Sequence, residues 1–276
     1  MSYTKLNKAF AFYCMNKYII ILSKHRLINK IGIILMKNYG VILAGGTGTR
    51  IGGDIPKQFI KLHGKPIIIR TLEKFLCDEM FDFVYIAMHS DYIDNFKCLL
   101  NEFSLNQPKI KIINGGKERI NSLENIMNVI CQNNIDNDDV VVIHDGVRPF
   151  VSKEILSNSI KTAREFGACV ATVPATDTMY VLDNNNYIKD IPQRKTIFNG
   201  QAPDSFRINI LKNALDSLTE EERKFITGTV QICMLKGYPV KTIKGDYKNI
   251  KITTQDDIYT AEKFLEMETQ NESLCS

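Results

Sequence analysis

Strand-like and helix-like segments alternate along the chain from Met36 onward, and this alternation limits the possible folds more than any other feature. Unbroken β-branched runs such as "VVVI" in "VVVIHDG" are typical of strands buried on both faces of a parallel sheet. The stretches between them have apolar residues at helical spacing, as in "DYIDNFKCLLNEF". Parallel strands need crossover connections, so the pattern predicts a doubly wound, mostly parallel, Rossmann-like α/β fold.

The pattern can be divided into individual elements. Strands are predicted at 39–45, 83–88, 109–113, 140–146, 168–173, 240–243 and 250–252. Helices are predicted at about 66–77, 91–103, 118–130, 153–166, 205–218 and 255–266, with a further helical stretch around residue 231. No repeat or low-complexity linker interrupts these elements, so residues 36–276 are predicted to form one domain.

One segment departs from the alternation. Residues 178–194 contain two short strand-like stretches around "DNNN", which predicts a β-hairpin that projects from the α/β body. Such a hairpin has exposed strand edges, and a second subunit is a common way to cover them. We therefore expect a homodimer formed through an arm at about residues 175–198.

The first 35 residues differ in charge from the rest. They contain six basic residues and no acidic residue, whereas the whole chain has a net charge of +4, so the rest carries −2. An acid-poor, basic segment suits a targeting tail. Its richness in Lys, Asn, Ile and Tyr favours instead an N-terminal extension without a role in the fold, disordered or translated from upstream of a true start at Met36. The near-neutral remainder argues against nucleic acid as a partner.

Apolar runs and cysteines indicate where the protein functions. The early run "YIIIL" is far shorter than the roughly 20 residues of a membrane span, and it lacks the small-residue cleavage site of a secretory signal. The seven cysteines have no C-x-x-C spacing and are predicted to be reduced thiols. The sequence therefore predicts a cytoplasmic protein without a membrane partner.

A glycine-rich loop, "VILAGGTGTRIGGDIPKQF", begins in the first predicted strand. Backbone N–H groups between a strand and a helix can hold an anion, and glycine lets a phosphate approach closely. The spacing fits neither the P-loop nor the dinucleotide-binding motif. Arg50 and Lys57 beside such a backbone suit a polyphosphate, because cations stabilise the charge of a phosphoryl transition state. A tight turn with inert surface cations is the alternative.

Two more predicted strands end in residues suited to nucleotide chemistry. In "NGGKERINSL", Ser122 and the backbone near Gly115 and Gly116 could bind a nucleobase or a ribose, and a plain turn is the alternative. Asp145 ends a central strand, where open α/β sheets bind ligands. A carboxylate beside a phosphate loop is a natural Mg²⁺ ligand, and a buried aspartate that caps the next turn is the alternative.

The neighbouring residues receive more modest predictions. His144 points to the opposite face of its strand and is predicted to be structural. Arg148 either clamps a phosphate or braces its loop. Lys251 is a candidate phosphate ligand on a strand, and Thr254 with Asp257 fits a helix-capping box.

Together these motifs resemble those of the polyol-phosphate cytidylyltransferases, which join CTP to a polyol phosphate and release pyrophosphate. The resemblance rests on four groups of residues: Ala44, Gly45, Gly46, Gly48 and Arg50 with Pro56, Lys57 and Gln58; Gly115, Gly116, Glu118, Arg119 and Ser122; His144, Asp145, Arg148 and Pro149; and Asp177, Thr178 and Met179 with residues 249–253. The combination is specific and covers nearly all of the chain after Met36. It implies a fold like that of the nucleotide-diphospho-sugar transferases.

The resemblance also implies roles on the nucleotide side. Arg50 and Lys57 would bind the triphosphate and stabilise the charge of the transition state, with Lys251 assisting, and Asp145 would hold Mg²⁺. The residues implied in binding the rest of CTP are Ala44, Gly45, Gly46, Gly48, Gly115, Gly116, Arg119 and Ser122.

On the acceptor side, the resemblance implies a site shared between two subunits. Arg148 would bind the polyol phosphate, and Thr178 and Arg194 of the arm would reach the partner's acceptor. "HDGVRPF", "GQAPDSF" and "NIKITT" are closer to ribitol-5-phosphate enzymes, which make CDP-ribitol for teichoic acid or capsule polymers. D-ribitol 5-phosphate is therefore the expected acceptor, and 2-C-methyl-D-erythritol 4-phosphate, used in isoprenoid synthesis, is the alternative.

Two departures from the family pattern lie on this acceptor side. Ala202 stands where a threonine is usual, and "ITGTVQ" at 226–231 stands where T-D-[DE] is common. Two other functions stay open: a nucleotide-binding domain without catalysis, and a nucleotidyltransferase with a different nucleotide or acceptor. The set of Arg50, Lys57, Asp145 and Lys251 favours an active enzyme, since a relic would be free to lose any of them.

Overall fold

The computed structural model describes residues 36–46, 55–133 and 135–274. Its strands are β1 (Asn38–Ala44), β2 (Lys61–Leu62), β3 (Lys65–Pro66), β4 (Phe83–Met88), β5 (Ile110–Asn114), β6 (Val140–Asp145), β7 (Ala168–Pro174), β8 (Val181–Leu182), β9 (Ile188–Asp190), β10 (Phe198–Arg207) and β11 (Lys241–Lys244). Its helices are α1 (Ile67–Leu76), α2 (Ile93–Glu102), α3 (Arg119–Cys131), α4 (Lys153–Phe166), α5 (Ile208–Asp216), α6 (Glu220–Arg223), α7 (Thr229–Leu235) and α8 (Gln255–Leu274). The predictions for residues 1–35, Gly48 and Arg50 lie outside the described residues.

Seven strands form one sheet in the order β11-β7-β10-β6-β1-β4-β5. All neighbouring strands are parallel except β10, which is antiparallel to both β6 and β7. The predicted doubly wound, mostly parallel α/β fold is therefore confirmed. Leu43 of β1 lies beside Asp145 of β6, so the start of the glycine-rich loop and this carboxylate meet at one edge of the sheet.

Helices cover both faces of the sheet because strand side chains alternate between them. Ile42 and Val142 pack in one core with α1, α2 and α4, and Val41 and Ile143 pack in the other with α3, α5 and α7. A third, smaller core joins α8 to the β2–β3 hairpin and to the chain near Ile252.

Local signals place several helix ends where the sequence predicts them. At the start of α4, the Ser152 hydroxyl accepts a hydrogen bond from the Ile155 N–H (3.2 Å), and the helix ends at Gly167, whose φ of 91° favours glycine. At the start of α8, Asp257 accepts from the Thr254 N–H (2.8 Å) and donates its own N–H to the Thr254 hydroxyl (3.3 Å). The predicted capping box is confirmed.

The prediction is wrong at β10. A helix was expected from about residue 205, but residues 198–207 form a strand and α5 begins only at Ile208. Gly200 and Pro203 interrupt the run, and such residues argue against a central strand. The strand tolerates them because its pairing with β7 is irregular between Gly200 and Asp204.

Residues 250–252 are the second correction. They were expected to form a strand, but they do not belong to a helix or a strand, and the Ile252 N–H donates to the Val147 carbonyl (3.0 Å). The apolar side chains that suggested a strand pack in the small core beneath α8. Lys251 therefore lies on a loop, and α8 itself extends well past residue 266.

The predicted hairpin is confirmed. β8 and β9 pair in antiparallel orientation, and the Asp183 carboxylate holds the turn by accepting from the N–H groups of Asn185 (2.8 Å) and Tyr187 (2.9 Å). We call residues 175–197 the arm. Residues 176–191 of the arm are exposed throughout.

Within the described ranges, no helix is both long and apolar enough to cross a bilayer. The five cysteines there are all free thiols, as the sequence predicts.

Candidate active site

A cavity of about 210 Å³ opens at the carboxyl ends of β1 and β6. Its lining contains most of the predicted nucleotide-binding and catalytic residues, namely Ala44, Gly45, Gly46, Lys57, Gly116, Arg119, Ser122, Asp145 and Lys251. Lys117 and Glu118 also line it and have no predicted role. The structure thus brings together residues from β1, from the α3 start, from the β6 end and from the loop before α8.

Gln58 fixes the start of the glycine-rich loop to the turn that carries Lys57. Its buried amide Nε2 donates to the carbonyl oxygens of Ala44 (2.9 Å) and Gly46 (3.1 Å). A Cβ built on Gly46 would meet no described atom within 4 Å, and one on Gly45 would meet only the Ser122 hydroxyl at 3.7 Å. No described atom packs against either position closely enough to require glycine, and this suits a close approach of their backbone to a ligand.

The second loop is held by its own contacts. A Cβ on Gly116 would lie 2.2 Å from the Asn121 Cβ, so packing requires this glycine, whereas a Cβ on Gly115 would come only to 3.3 Å of a backbone oxygen. The Ser122 hydroxyl accepts from the Gly116 N–H (3.0 Å) and donates to the Glu118 carbonyl (3.2 Å). The plain-turn alternative explains Gly116, while Ser122 also faces the cavity.

Three cations surround the Asp145 carboxylate. Its Oδ1 accepts from Arg119 Nη1 at 2.6 Å, and its Oδ2 lies 3.1 Å from Arg148 Nε and 3.2 Å from Lys251 Nζ. Burial alone would raise the pKa of Asp145, but the three cations lower it far below its usual range. Asp145 is therefore an anion near pH 7.

Arg148 braces its loop and does not line the cavity. It is buried, and its Nη1 donates to the Asn249 carbonyl (2.7 Å). The Asn249 amide in turn donates to the Ala202 carbonyl (2.7 Å). These bonds position the loop that carries Lys251. Arg148 was predicted either to clamp a phosphate or to brace its loop, and its contacts are those of a residue that braces the loop.

His144 is structural, as predicted. It is fully buried beside Phe75, and its Nε2 lies 3.0 Å from the Arg148 carbonyl. Burial lowers the pKa of His144 to about 4, so the ring stays neutral near pH 7.

Asp204 is a second buried carboxylate behind the cavity, and the sequence analysis missed it. Its side chain hydrogen-bonds to Thr229 at the start of α7, and burial raises its pKa to about 7 even though Arg119 opposes that shift. Asp204 lies within the motif "GQAPDSF", but that motif gave it no role, and the position of β10 next to β6 is what brings it near Asp145.

Thr178 and Arg194 are not brought to the cavity. Both are exposed on the arm, where Arg194 Nη1 donates to the Thr176 carbonyl (3.1 Å). Their predicted contact with a partner's acceptor stays a prediction.

The described residues of the cavity do not fit a magnesium site built from side chains. Both oxygens of Asp145 already accept from cations, and Glu118, the other lining carboxylate, is exposed. No group of three or more His, Cys, Asp or Glu side chains suited to a metal occurs among the described residues. Magnesium prefers oxygen ligands free of competing cations.

Comparison with known proteins identifies the family. A family model described as "IspD: 2-C-methyl-D-erythritol 4-phosphate cytidylyltransferase" matches residues 39–267. The 2-C-methyl-D-erythritol 4-phosphate cytidylyltransferase of Francisella tularensis is 31% identical, with a TM-score of 0.69 over 82% of this chain and 98% of that one. The 4-diphosphocytidyl-2C-methyl-D-erythritol synthase of Anaerococcus prevotii DSM 20548 is 25% identical, with a TM-score of 0.70 over 84% and 96%.

A more distant relative has the same fold. The 2-C-methyl-D-erythritol 4-phosphate cytidylyltransferase of Thermus thermophilus is 22% identical, with a TM-score of 0.62 over 83% of this chain and 98% of that one. The family match spans most of the chain, including every strand of the seven-stranded sheet apart from the first residue of β1. This chain therefore belongs to the IspD family and is a CTP-dependent cytidylyltransferase.

Proposed function

We propose that this enzyme transfers CMP from CTP to 2-C-methyl-D-erythritol 4-phosphate and releases pyrophosphate. The observation that carries the proposal is the cavity where Lys57, Arg119 and Lys251 converge beside an open glycine backbone. The family description and the name of the Francisella tularensis relative support this acceptor. 2-C-Methyl-D-erythritol 4-phosphate, which is the alternative acceptor in the sequence analysis, is thus preferred over D-ribitol 5-phosphate.

The chemistry is an in-line substitution at phosphorus. An oxygen of the acceptor phosphate forms a bond to the α-phosphorus of CTP, and the bond from that phosphorus to the bridging oxygen of the β-phosphate breaks. Pyrophosphate leaves with the electron pair. A phosphate dianion is already a competent nucleophile, so the reaction needs no general base.

Catalysis then depends on position and charge. Lys57 and Lys251 line the same cavity, so they can stabilise negative charge on the oxygens of the transferring and leaving phosphates. Among the described residues, no side chain packs against Gly45 or Gly46 closely enough to require glycine, so their backbone can approach the phosphates. Magnesium stays a prediction and would have to be held by phosphate oxygens, since Asp145 is already paired.

D-Ribitol 5-phosphate is the second candidate acceptor, and the motifs "HDGVRPF" and "NIKITT" favour it. The two departures on the acceptor side do not decide between the candidates. Ala202 offers only a buried methyl group, and the Thr227 hydroxyl lies 3.3 Å from Gln231 Oε1.

Release of pyrophosphate from CTP, measured with the two acceptors side by side, tests the proposal. We expect kcat/KM to be higher with 2-C-methyl-D-erythritol 4-phosphate. A higher value with D-ribitol 5-phosphate would overturn the choice of acceptor, and turnover with UTP in preference to CTP would overturn the choice of nucleotide.

We also propose that two copies associate through the arm. The arm exposes a group of large apolar side chains, namely Met179, Tyr180, Val181, Leu182, Tyr187, Ile188 and Ile191. An apolar patch of this kind marks an interaction surface. Sedimentation of the wild-type protein and of Ile188→Asp tests this proposal, because the variant should sediment as a monomer.

A further inference from the structure

Asp145 is surrounded by more positive charge than it can neutralise. One carboxylate carries a single negative charge, whereas Arg119, Arg148 and Lys251 together carry three positive charges. Asp204 also interacts with Arg119, but even with that carboxylate counted the cluster keeps an excess of positive charge at the wall of a cavity that has to accept an anion.

The three cations differ in their access to the cavity. The side chain of Arg148 is only 11% exposed, and it is also bound to the backbone of Asn249. Arg119 and Lys251 line the cavity and are 34% and 42% exposed. A phosphate that enters the cavity can therefore reach Arg119 and Lys251, while Arg148 stays with Asp145.

Asp145 and an incoming phosphate need the same donors. Charge-assisted hydrogen bonds are strong for both partners, and each donor of Lys251 that turns to a phosphate oxygen weakens its contact with Asp145. The carboxylate thus occupies, before the nucleotide binds, part of the positive field that phosphate oxygens use afterwards.

We propose that Asp145 is the internal counter-anion of this cavity and acts as a positioning residue. It holds Arg119 and Lys251 at the cavity wall without a ligand and gives up Lys251 when a phosphate binds. This assignment replaces the predicted role of Asp145 as a magnesium ligand. It rests on the cytidylyltransferase activity and does not depend on the identity of the acceptor.

Asp145→Asn distinguishes the role of counter-anion from that of magnesium ligand, because asparagine keeps the shape of the side chain and removes its charge. In EDTA, without any metal, we expect the variant to bind inorganic pyrophosphate about 10-fold more tightly than wild type, because no fixed carboxylate competes for the cations. Turnover should fall about 100-fold, because Arg119 and Lys251 lose the group that orients them. Tighter binding combined with slower turnover is a result that general damage to the fold cannot produce.

Glu124→Gln is the matched control. Glu124 forms an ion pair with Arg223 outside the cavity, with both side chains 25% exposed. Its neutralisation should leave the affinity for pyrophosphate unchanged.

Three outcomes contradict the proposal in different ways. Unchanged or weaker binding of pyrophosphate by Asp145→Asn in EDTA would overturn the counter-anion proposal and leave the proposed function intact. A rise of 10-fold or more in the Mg²⁺ concentration needed for half-maximal activity, with unchanged binding in EDTA, would restore the role of metal ligand. Wild-type protein that binds neither pyrophosphate nor CTP would overturn the proposed function as well.

A crystal structure of wild-type protein with pyrophosphate provides a test that does not need the variant to fold. We expect Lys251 Nζ to lie within hydrogen-bond distance of a phosphate oxygen and to have left Asp145. A Lys251 that keeps its contact with Asp145 and does not touch the phosphate would overturn the proposal.

Discussion

The cavity and the arm hold their charged residues in opposite ways. In the cavity, Arg119 and Lys251 are oriented by a buried carboxylate that β6 places at the sheet edge. On the arm, Arg194 is exposed, and the hydrogen bond described for it runs to the backbone of the same arm. One chain therefore orients the cations of its own cavity, whereas the residues of the arm would be oriented by a second subunit in the proposed dimer.

The apolar side chains near the cavity and those on the arm also differ, in their exposure to solvent. Near the cavity they are buried in the cores that cover the sheet, but on the arm Tyr187 is 73% exposed and Ile188 is 58% exposed. The following predictions test this division between a self-contained cavity and a dependent arm, from the largest expected effect to the smallest.

Lys57→Ala should reduce turnover about 1000-fold, because the variant removes a cation from the transition state of phosphoryl transfer. The melting temperature should stay within about 1 °C of wild type, since Lys57 lies in a short turn at the cavity wall. Steady-state kinetics and thermal unfolding measure both effects. Lys61→Ala, at an exposed position of β2, is the control, and release of pyrophosphate at the wild-type rate by Lys57→Ala would contradict the assigned role.

Arg194→Ala should lower kcat/KM for the acceptor about 100-fold and leave the affinity for CTP unchanged, because the arm would act on the partner's acceptor phosphate. Mixing inactive Lys57→Ala with Arg194→Ala tests the dimer directly. In a mixed dimer, one site carries both defects and the other carries neither, so activity should return. If the mixture stays inactive after subunit exchange, Arg194 does not serve a partner's site.

Gln58→Glu should raise KM for CTP about 10-fold, because a carboxylate cannot donate to the carbonyl groups of Ala44 and Gly46. Kinetics with varied CTP measure the change. Asn133→Asp is the control, since the Asn133 amide also donates to a backbone carbonyl, that of Val129, but far from the cavity. A KM equal to that of wild type would show that the loop does not depend on this contact.

Asp204→Asn should change how stability depends on pH. The folded protein holds a proton on Asp204 up to about pH 7, whereas the unfolded chain loses it near pH 4, so wild type loses stability as the pH rises through this window. The variant lacks this loss of stability and should melt a few degrees higher than wild type at pH 8. A weaker hydrogen bond to Thr229 would reduce that gain. Thermal unfolding between pH 4 and pH 8 measures the difference, and parallel profiles for the two proteins would contradict it.

The sequence predicts the parts of the fold that depend on local pattern. The strand at 83–88 and the helix at 153–166 lie where periodicity and capping place them. β10 could not be predicted, because its glycine and proline contradict strand pattern and only pairing with β6 and β7 stabilises it. The apolar residues at 250–252 look like a strand because burial under α8 produces the same pattern as burial in a sheet.

In the candidate site, too, the sequence predicts which residues take part but not the contacts between distant segments. The motifs place Lys57, Ser122, Asp145 and Lys251 around one cavity, and the structure brings these four together. The pairing of one carboxylate with three cations could not be predicted, because Arg119 and Lys251 are far from Asp145 along the chain. Contacts between distant segments have no local signal in a single sequence.

The position of β10 next to β7 has a consequence for how this family can vary. The two strands pair from Pro174 and Phe198 inward, so the arm is an insertion whose two ends are already joined at its base. The entropic cost of closing such an insertion rises slowly, by about 0.6 kcal/mol for each doubling of length. A change in the length of the arm should therefore cost the fold little, because the sheet keeps its pairing at the base of the arm.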